Sequence, residues 1–327
     1  MKILVTGGAG YLGSVLVSML LARGERVTVV DICMFGGEAL LAHINNPLFR
    51  LEVGDIRDQR FIRTVFSRPF DAVVHLAALV GEPACKIDTR LTKQINTDSA
   101  LRLATEAKNR GVRRFVYTST CSNYGVSSPD ALADEDSPLH PLSLYAETKV
   151  AAEKGLLALS VASFGVTILR LATLFGLSPK MRFNLLINEM VRDAWHGREI
   201  ILYKEEAWRP YCHTSDAARA IAALLDTDPK KVSGEVFNVG TDNLQKKTLA
   251  ALVKKQIPSI RVKREGGQPD NRDYRVSFAK AKKQIGFVPT KSIEEGIAET
   301  VLALKNKVWS SPYDPKYTDW LRKEFFA

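Results

Sequence analysis

"KILVTGGAGYLGS", residues 2–14, runs an apolar stretch straight into Gly7, Gly10 and Gly13, after which a helix-forming segment begins. Glycines at a strand-to-helix turn let the backbone fold tightly and approach a pyrophosphate, which then rests on the helix N-terminus. The spacing alone says little; the sequence downstream supports it twice. "RVTVVD" (26–31) reads as a second strand that closes on Asp31, 18 residues beyond Gly13. A carboxylate there accepts hydrogen bonds from an adenosine ribose diol and repels a 2′-phosphate, so NAD rather than NADP is the expected cofactor. "GDIRD" then sets Asp55 and Ile56 at the end of a third strand, placed to flank adenine.

Working outward, short Val/Ile/Leu-rich runs alternate with helix-length segments. Strands are expected at 2–6, 26–31, 49–55, 71–78, 114–119 and 166–172, and helices near 11–23, 58–67, 92–110 and 145–163. The strands are continuously apolar rather than alternating, as when helices cover both faces of a sheet. A βαβ series of this kind predicts an α/β fold with a Rossmann-type doubly wound parallel sheet. After Thr173 the rhythm breaks into a helix ("NLLINEMVRDAWHG"), a short strand ("EIILY") and a return to "VFNVG" (236–240). The expected organisation is a dinucleotide-binding domain over 1–173, with strand returns from about 211–240. A smaller α/β substrate-binding lobe is expected over 174–327.

Bulk composition limits the classes of function. The 327 residues, 46% hydrophobic and 25% charged, suit a globular protein of two lobes. The longest uncharged run, Gly155 to Leu169, is 15 residues and too short for a comfortable membrane span. The N-terminus reads as a strand rather than a signal peptide, and Cys33, Cys85, Cys121 and Cys212 are widely spaced, so reduced thiols and a cytoplasmic location are expected. Residues 246–283 hold 12 Lys/Arg against 3 Asp/Glu, which is nearly all of the net charge of +10. Such a segment suits an anionic partner or a solvated helix face. Tyr274 and Phe278 are its only aromatics, too few for stacking on nucleic-acid bases, so nucleic acid is not the expected partner. His75 and His213 read as structural, and no metal-binding cluster is visible.

"SLYAETKVAAEK" places Tyr145 and Lys149 four residues apart, on one face of one helix. An ammonium beside a phenol is expected to lower the phenol's pKa from about 10 toward working pH. Such a tyrosine can take a proton from a sugar hydroxyl while the carbon gives up a hydride.

With these residues on the page, the chain resembles the extended short-chain dehydrogenases/reductases, in the NAD-dependent nucleotide-sugar epimerase/dehydratase group. The motifs that carry the resemblance are TGGAGYLG (with Tyr11 and Leu12), Asp31, GDIRD, HLAA (with Leu76, Ala77 and Ala78), Asn96, STCSNYG and the Tyr145/Lys149 pair. LRLATLFG and RPYCHTSDAARA continue them, in the family's order over roughly residues 2 to 300. The resemblance implies NAD held by the glycine loop, Asp31, Asp55, Ile56, Leu76–Ala78 and Asn96, with Lys149 on the nicotinamide ribose. It implies Thr120 as the hydroxyl partner of Tyr145, and Asn184 and Arg209 at the substrate's diphosphate. It also implies a homodimer through the helices near 92–110 and 145–163.

"TSTCSNYG" (118–125) narrows the reaction. In the 4,6-dehydratases that the chain resembles, Asp-Glu follows the catalytic Thr; here Cys121 and Ser122 stand there, so ordinary 4,6-dehydration is disfavoured. Relatives that epimerise at C3 and C5 carry a Cys two residues before the tyrosine matching Tyr124, a position held here by Ser122. Cys121 is read either as a small buried filler or as an acid facing the substrate, and both Cys121 and Ser122 are candidate substrate contacts. A serine hydrolase would need a GxSxG elbow and a placed His, which are missing. What remains is oxidation of a sugar hydroxyl, expected at C4, by a nucleotide-sugar 4-epimerase. "LAALVGEPACK", "FGLSPKMR" and "RDYRVS" also resemble a subgroup of capsule-pathway enzymes that includes a GDP-heptose 4-dehydrogenase, which adds Arg272 to the substrate candidates. An inactive sensor or RNA-binding member of the fold is the alternative from another class. The intact Thr120/Tyr145/Lys149 set speaks against it.

Overall fold

The computed structural model describes residues 1–126, 131–266 and 271–318. Seven strands form one sheet: β1 (Lys2–Thr6), β2 (Arg26–Asp31), β3 (Phe49–Val53), β4 (Ala72–His75), β5 (Arg114–Thr120), β6 (Gly165–Leu171) and β7 (Val236–Val239). Their spatial order is β3-β2-β1-β4-β5-β6-β7, and every neighbouring pair is parallel. The sequence reading of a doubly wound parallel sheet therefore holds, with the change of winding direction between β1 and β4.

Alternate side chains of the strands feed two apolar layers. Ile3 and Val5, with Val27, Val29 and Val74, pack against the helices Tyr11–Ala22 and Thr214–Asp226. Leu4, Val30, Val73 and Phe115 face the other way, onto Gln59–Val65, Ser99–Asn109 and Leu144–Leu159. Both faces being covered is why the strands read as unbroken apolar runs.

A third apolar cluster joins Phe175, Phe183 and Ile187 to Leu249, Val253 and Ile297, drawing mostly on elements after Thr173. Around it lie a three-stranded sheet of Thr173–Phe175, Trp208–His213 and Asp242–Gln245, and the parallel pair Ile200–Tyr203 with Val262–Glu265. The chain end straps this region: Phe183 meets the Trp309 and Tyr317 rings edge-on at 4.9 and 6.0 Å, and its N–H donates to the Tyr317 carbonyl at 2.7 Å. Phe183→Ala is expected to cost about 3–5 kcal/mol of stability by opening a cavity there, measured by urea denaturation.

The segment expected as one helix over 92–110 is broken. Thr89–Lys93 is α-helical, Gln94–Asp98 widens into a π-turn, and Ser99–Asn109 resumes the α-helix. A further short helix, Glu82–Ile87, precedes them.

The basic segment is not one charged face either. It is divided among the helices Lys246–Gln256 and Ala279–Ile285 and the strands Val262–Glu265 and Arg275–Val276, and its residues 267–270 lie outside the described residues. Lys247, Lys263, Arg264 and Lys280 pair with Glu206, Glu265, Glu205 and Glu235. Among the described residues, no helix is long and apolar enough to cross a membrane.

Candidate active site

The chain segments that leave the carboxyl ends of β1 to β6 open onto one cleft of about 1320 Å³. At its cofactor end, Gly7 sits at φ +74°, and a Cβ there would lie 2.7 Å from the Ala77 nitrogen. A Cβ on Gly13 would lie 2.1 Å from the Gly7 carbonyl oxygen, so the helix can pack this close to the loop only with glycine at that position. Gly10 caps the helix Tyr11–Ala22 without any side-chain hydrogen bond and with no acidic residue in the first turn. An anion can therefore take up the first-turn N–H groups.

Asp31 borders the cleft, with its carboxylate oxygens accepting the Ala9 and Cys33 N–H groups at 2.9 and 2.8 Å. Burial raises its pKa against the pull of those two bonds. Leu12, Asp55, Ile56 and Leu76–Ala78 border the same end, as the sequence led us to expect. Tyr11, in the first turn of the helix, borders this end too, with its hydroxyl turned away, donating to the Gly176 carbonyl at 2.5 Å and accepting from Asn188 at 3.1 Å. One expectation is corrected. Asn96 does not border the cleft: its side chain accepts from the Leu79 N–H at 2.8 Å and donates to the Leu79 carbonyl and Thr148 hydroxyl. It braces the wall from behind, and the π-turn is what aims it there.

At the other end, Ser143 caps the helix Leu144–Leu159 through the Ala146 N–H, and Tyr145 and Lys149 follow on one face. The Lys149 ammonium donates to the Thr118 carbonyl at 2.9 Å, lies 4.6 Å above the Tyr117 ring and is 5.9 Å from the Tyr145 ring centre. Burial pulls Lys149 down to about 8, although Glu153 and Cys85 act in the opposite direction. Tyr145 departs from expectation: burial raises its phenol well above the ordinary value, and Arg182 and Arg272 only partly offset this.

Thr120, at the end of β5, shares a 2.7 Å hydrogen bond with Ser122, and both border the cleft. Cys121 does not. It is fully buried, with its thiol donating to the Arg170 carbonyl at 3.2 Å, and it packs as a small filler off the cleft wall.

Asn184, Arg209 and Arg272 border the cleft as expected, and Lys180, Arg182 and Lys246 join them. Lys180 and Arg182 stand in "FGLSPKMR" but are not among the expected substrate contacts, and Lys246 has no motif of its own. The available signal was the alternation "KMR", in which Met181 is fully buried between two cations on the wall. Arg182 donates to Asn184 at 3.3 Å, and Lys246 to the Tyr203 carbonyl at 3.0 Å. Lys180 donates to the Lys316 carbonyl and lies 5.1 Å over the Phe35 ring. His75 and His213 serve the structure, through Thr6 for the first and through Ser215 and Glu299 for the second. No group of three or more His, Cys, Asp or Glu is arranged to hold a metal among the described residues.

A glycine cradle, an uncapped helix and the Asp31 carboxylate share a cleft with a Tyr/Lys pair, and residues 3–240 match the model of the NAD dependent epimerase/dehydratase family. The chain belongs to that family. A dTDP-glucose 4,6-dehydratase of Streptomyces niveus is 30% identical over 95% of both chains. A UDP-glucose 4-epimerase of Corynebacterium glutamicum is 31% identical over 88% of this chain and 91% of its own. Among solved structures, a UDP-glucose 4-epimerase of Thermotoga maritima with UDP-glucose superposes with a TM-score of 0.83 at 26% identity, covering 94% of this chain and 100% of the other. A Streptomyces venezuelae dTDP-glucose 4,6-dehydratase with NAD bound gives 0.84 at 28%, covering 97% and 100%. NAD is the cofactor of the family, and the cradle that any Cβ at Gly13 would fill fits it, as does Asp31.

Proposed function

We propose that this family member is a nucleotide-sugar 4-epimerase, which oxidises the C4 hydroxyl of a sugar carried on a nucleoside diphosphate and restores it in the opposite configuration. The observation that carries this is the placing of Tyr145, Lys149 and the Thr120–Ser122 hydroxyl pair on the wall of the cleft that also holds the glycine cradle. NAD, when bound, accepts the hydride and returns it. Tyr145, ionised with the Lys149 ammonium stabilising its phenolate, takes the hydroxyl proton and becomes neutral, and Thr120 holds the sugar oxygen with Ser122 behind it. Asn184, Arg209 and Arg272, with Lys180, Arg182 and Lys246, suit the diphosphate, where guanidinium groups bind phosphate in bidentate fashion. In this reading residues 1–173 bind the cofactor and most of 174–327 the substrate, and the protein works as a homodimer.

Dehydratases are prominent among the relatives, yet neither residue after Thr120 is a carboxylate, and Cys121 is turned away from the cleft. The test is to incubate the protein with UDP-, GDP-, CDP- and dTDP-sugars and weigh the products. A product of unchanged mass with the C4 configuration inverted is expected. Loss of water would identify a dehydratase, and accumulating NADH with a product two mass units lighter, a 4-dehydrogenase.

A pH dependence follows from Lys149. A lysine whose pKa is lowered to about 8 loses its charge as the pH rises through 8, instead of holding it to the usual value near 10.5. The rate of sugar oxidation is therefore expected to fall on the alkaline side of about pH 8. A rate still climbing well above that pH would contradict the role given to the ammonium.

A further inference from the structure

Beneath the catalytic pair lies a buried polar cluster that the reaction as described does not use. The helix Leu144–Leu159 carries Glu153 one turn beyond Lys149, on the face that presents Tyr145. Arg170 of β6 donates to its carboxylate from Nη2 at 2.8 Å and from Nε at 3.2 Å, and Asn123 donates to it at 2.8 Å. The third Arg170 nitrogen, Nη1, donates to the Tyr124 hydroxyl at 2.9 Å, and that hydroxyl donates to Asn238 of β7 at 2.8 Å. Glu153 is 3% exposed and Arg170 5%. Asn123 and Tyr124 belong to the 3-10 turn that begins immediately after Thr120.

We propose that Glu153 is a positioning residue for the reaction: clamped by Arg170 and Asn123, it fixes a negative charge one helical turn from the Lys149 ammonium and locks the Tyr145–Lys149 helix to the turn that follows Thr120. The proposal rests on the reading of the site given above. An apolar pair could hold helix and turn together at least as well, because burying two charges is costly even when they are paired. The charge is thus the feature that needs a role beyond holding Arg170, and Lys149, one turn away on the same helix face, is the catalytic group that it faces. Glu153 is first among the groups that keep Lys149 from falling further than about 8. The other groups facing that ammonium are Cys85 from the helix Glu82–Ile87, His75 from β4, the Tyr117 ring from β5, and Tyr145 on its own helix. Burial keeps His75 neutral, its pKa lowered to about 3. Among these groups Glu153 is the carboxylate.

The test is an NMR titration of the full-length protein labelled with carbon-13 at the lysine Cε, with the Lys149 signal identified by its loss in Lys149→Met. Glu153→Gln is expected to move the Lys149 titration down by about one pH unit or more, while Glu153→Asp, which keeps the charge, stays near the parent value. Glu153→Gln alone leaves the Arg170 charge buried without its partner, so the doubly neutral Glu153→Gln/Arg170→Gln variant is titrated beside it with the same downward shift expected. Lys149 titrating at the parent pH in these folded variants would overturn the proposal. Kinetics separate the two readings. A shifted titration in a protein that turns over no nucleotide sugar upholds the action of Glu153 on Lys149 and defeats the proposed reaction. Turnover with an unmoved titration defeats the role of Glu153 alone.

Discussion

Tyr145→Phe is expected to lower kcat by about 10²–10⁴-fold, the range for removing a positioned acid–base group. NAD affinity and thermal stability should stay within the error of measurement. The phenol aims at the cleft, and no hydrogen bond from its hydroxyl to the fold is seen among the described residues, so phenylalanine preserves the packing against Leu79 and Leu91. Burial holds its pKa above the ordinary value, so the phenolate that takes the proton needs a cation beside it, and the Lys149 ammonium lies 5.9 Å from the ring centre. Steady-state kinetics with a nucleotide sugar, run beside NAD titration by calorimetry, check this. A variant retaining more than about a tenth of the parent rate would remove Tyr145 from the chemistry.

Gly13→Ala should act at the opposite end of the cleft and by a different route. The added methyl would sit 2.1 Å from the Gly7 carbonyl oxygen and 2.7 Å from the Gly8 Cα, both of them backbone atoms that cannot swing aside. The helix Tyr11–Ala22 must then back away from the loop. That costs about 1–3 kcal/mol of stability as overpacking and withdraws the first-turn N–H groups from the pyrophosphate position. NAD affinity is expected to fall by more than tenfold, which corresponds to about 1.4 kcal/mol. Gly10→Ala, whose methyl would lie 3.2 Å from the same carbonyl, provides the graded comparison and should lose less. Equal losses at the two positions would mean that close helix packing is not what the glycines serve.

The sheet was largely legible because its physics is local. β1, β2, β5 and β6 fall within a residue or so of their expected bounds, since a strand buried on both faces leaves an unbroken apolar run between turn residues. Gly7, Gly13 and Asp31 were legible for a similar reason: each answers a backbone or charge requirement that few residues can meet. The failures lie where tertiary contacts decide. Asn96 looked like a ligand contact and proves to be a brace, because the π-turn at Gln94–Asp98 swings its amide onto the Leu79 backbone, a distortion that no periodicity announces. Cys121 follows Thr120, which is still extended at φ −143° and ψ 140°, so the next side chain leaves on the opposite side and meets Arg170 instead of the cleft. The high phenol pKa of Tyr145 was illegible as well, since burial depends on helices and loops far apart in the chain. Lys246 is brought to the wall that carries Lys180 and Arg182 from a distant part of the chain, and only the fold gathers them.

The central claim is oxidation at C4 followed by return of the same hydride to that carbon. It is tested most directly with the nucleotide sugar that turns over in the UDP-, GDP-, CDP- and dTDP-sugar panel, carrying deuterium at C4, comparing substrate and product by mass and by NMR. The account predicts a 4-epimer that keeps the deuterium at C4, with no build-up of reduced nicotinamide. Deuterium lost from the sugar and recovered in reduced nicotinamide would contradict it and make the protein a dehydrogenase, and deuterium moved to C6 with loss of water would make it a dehydratase.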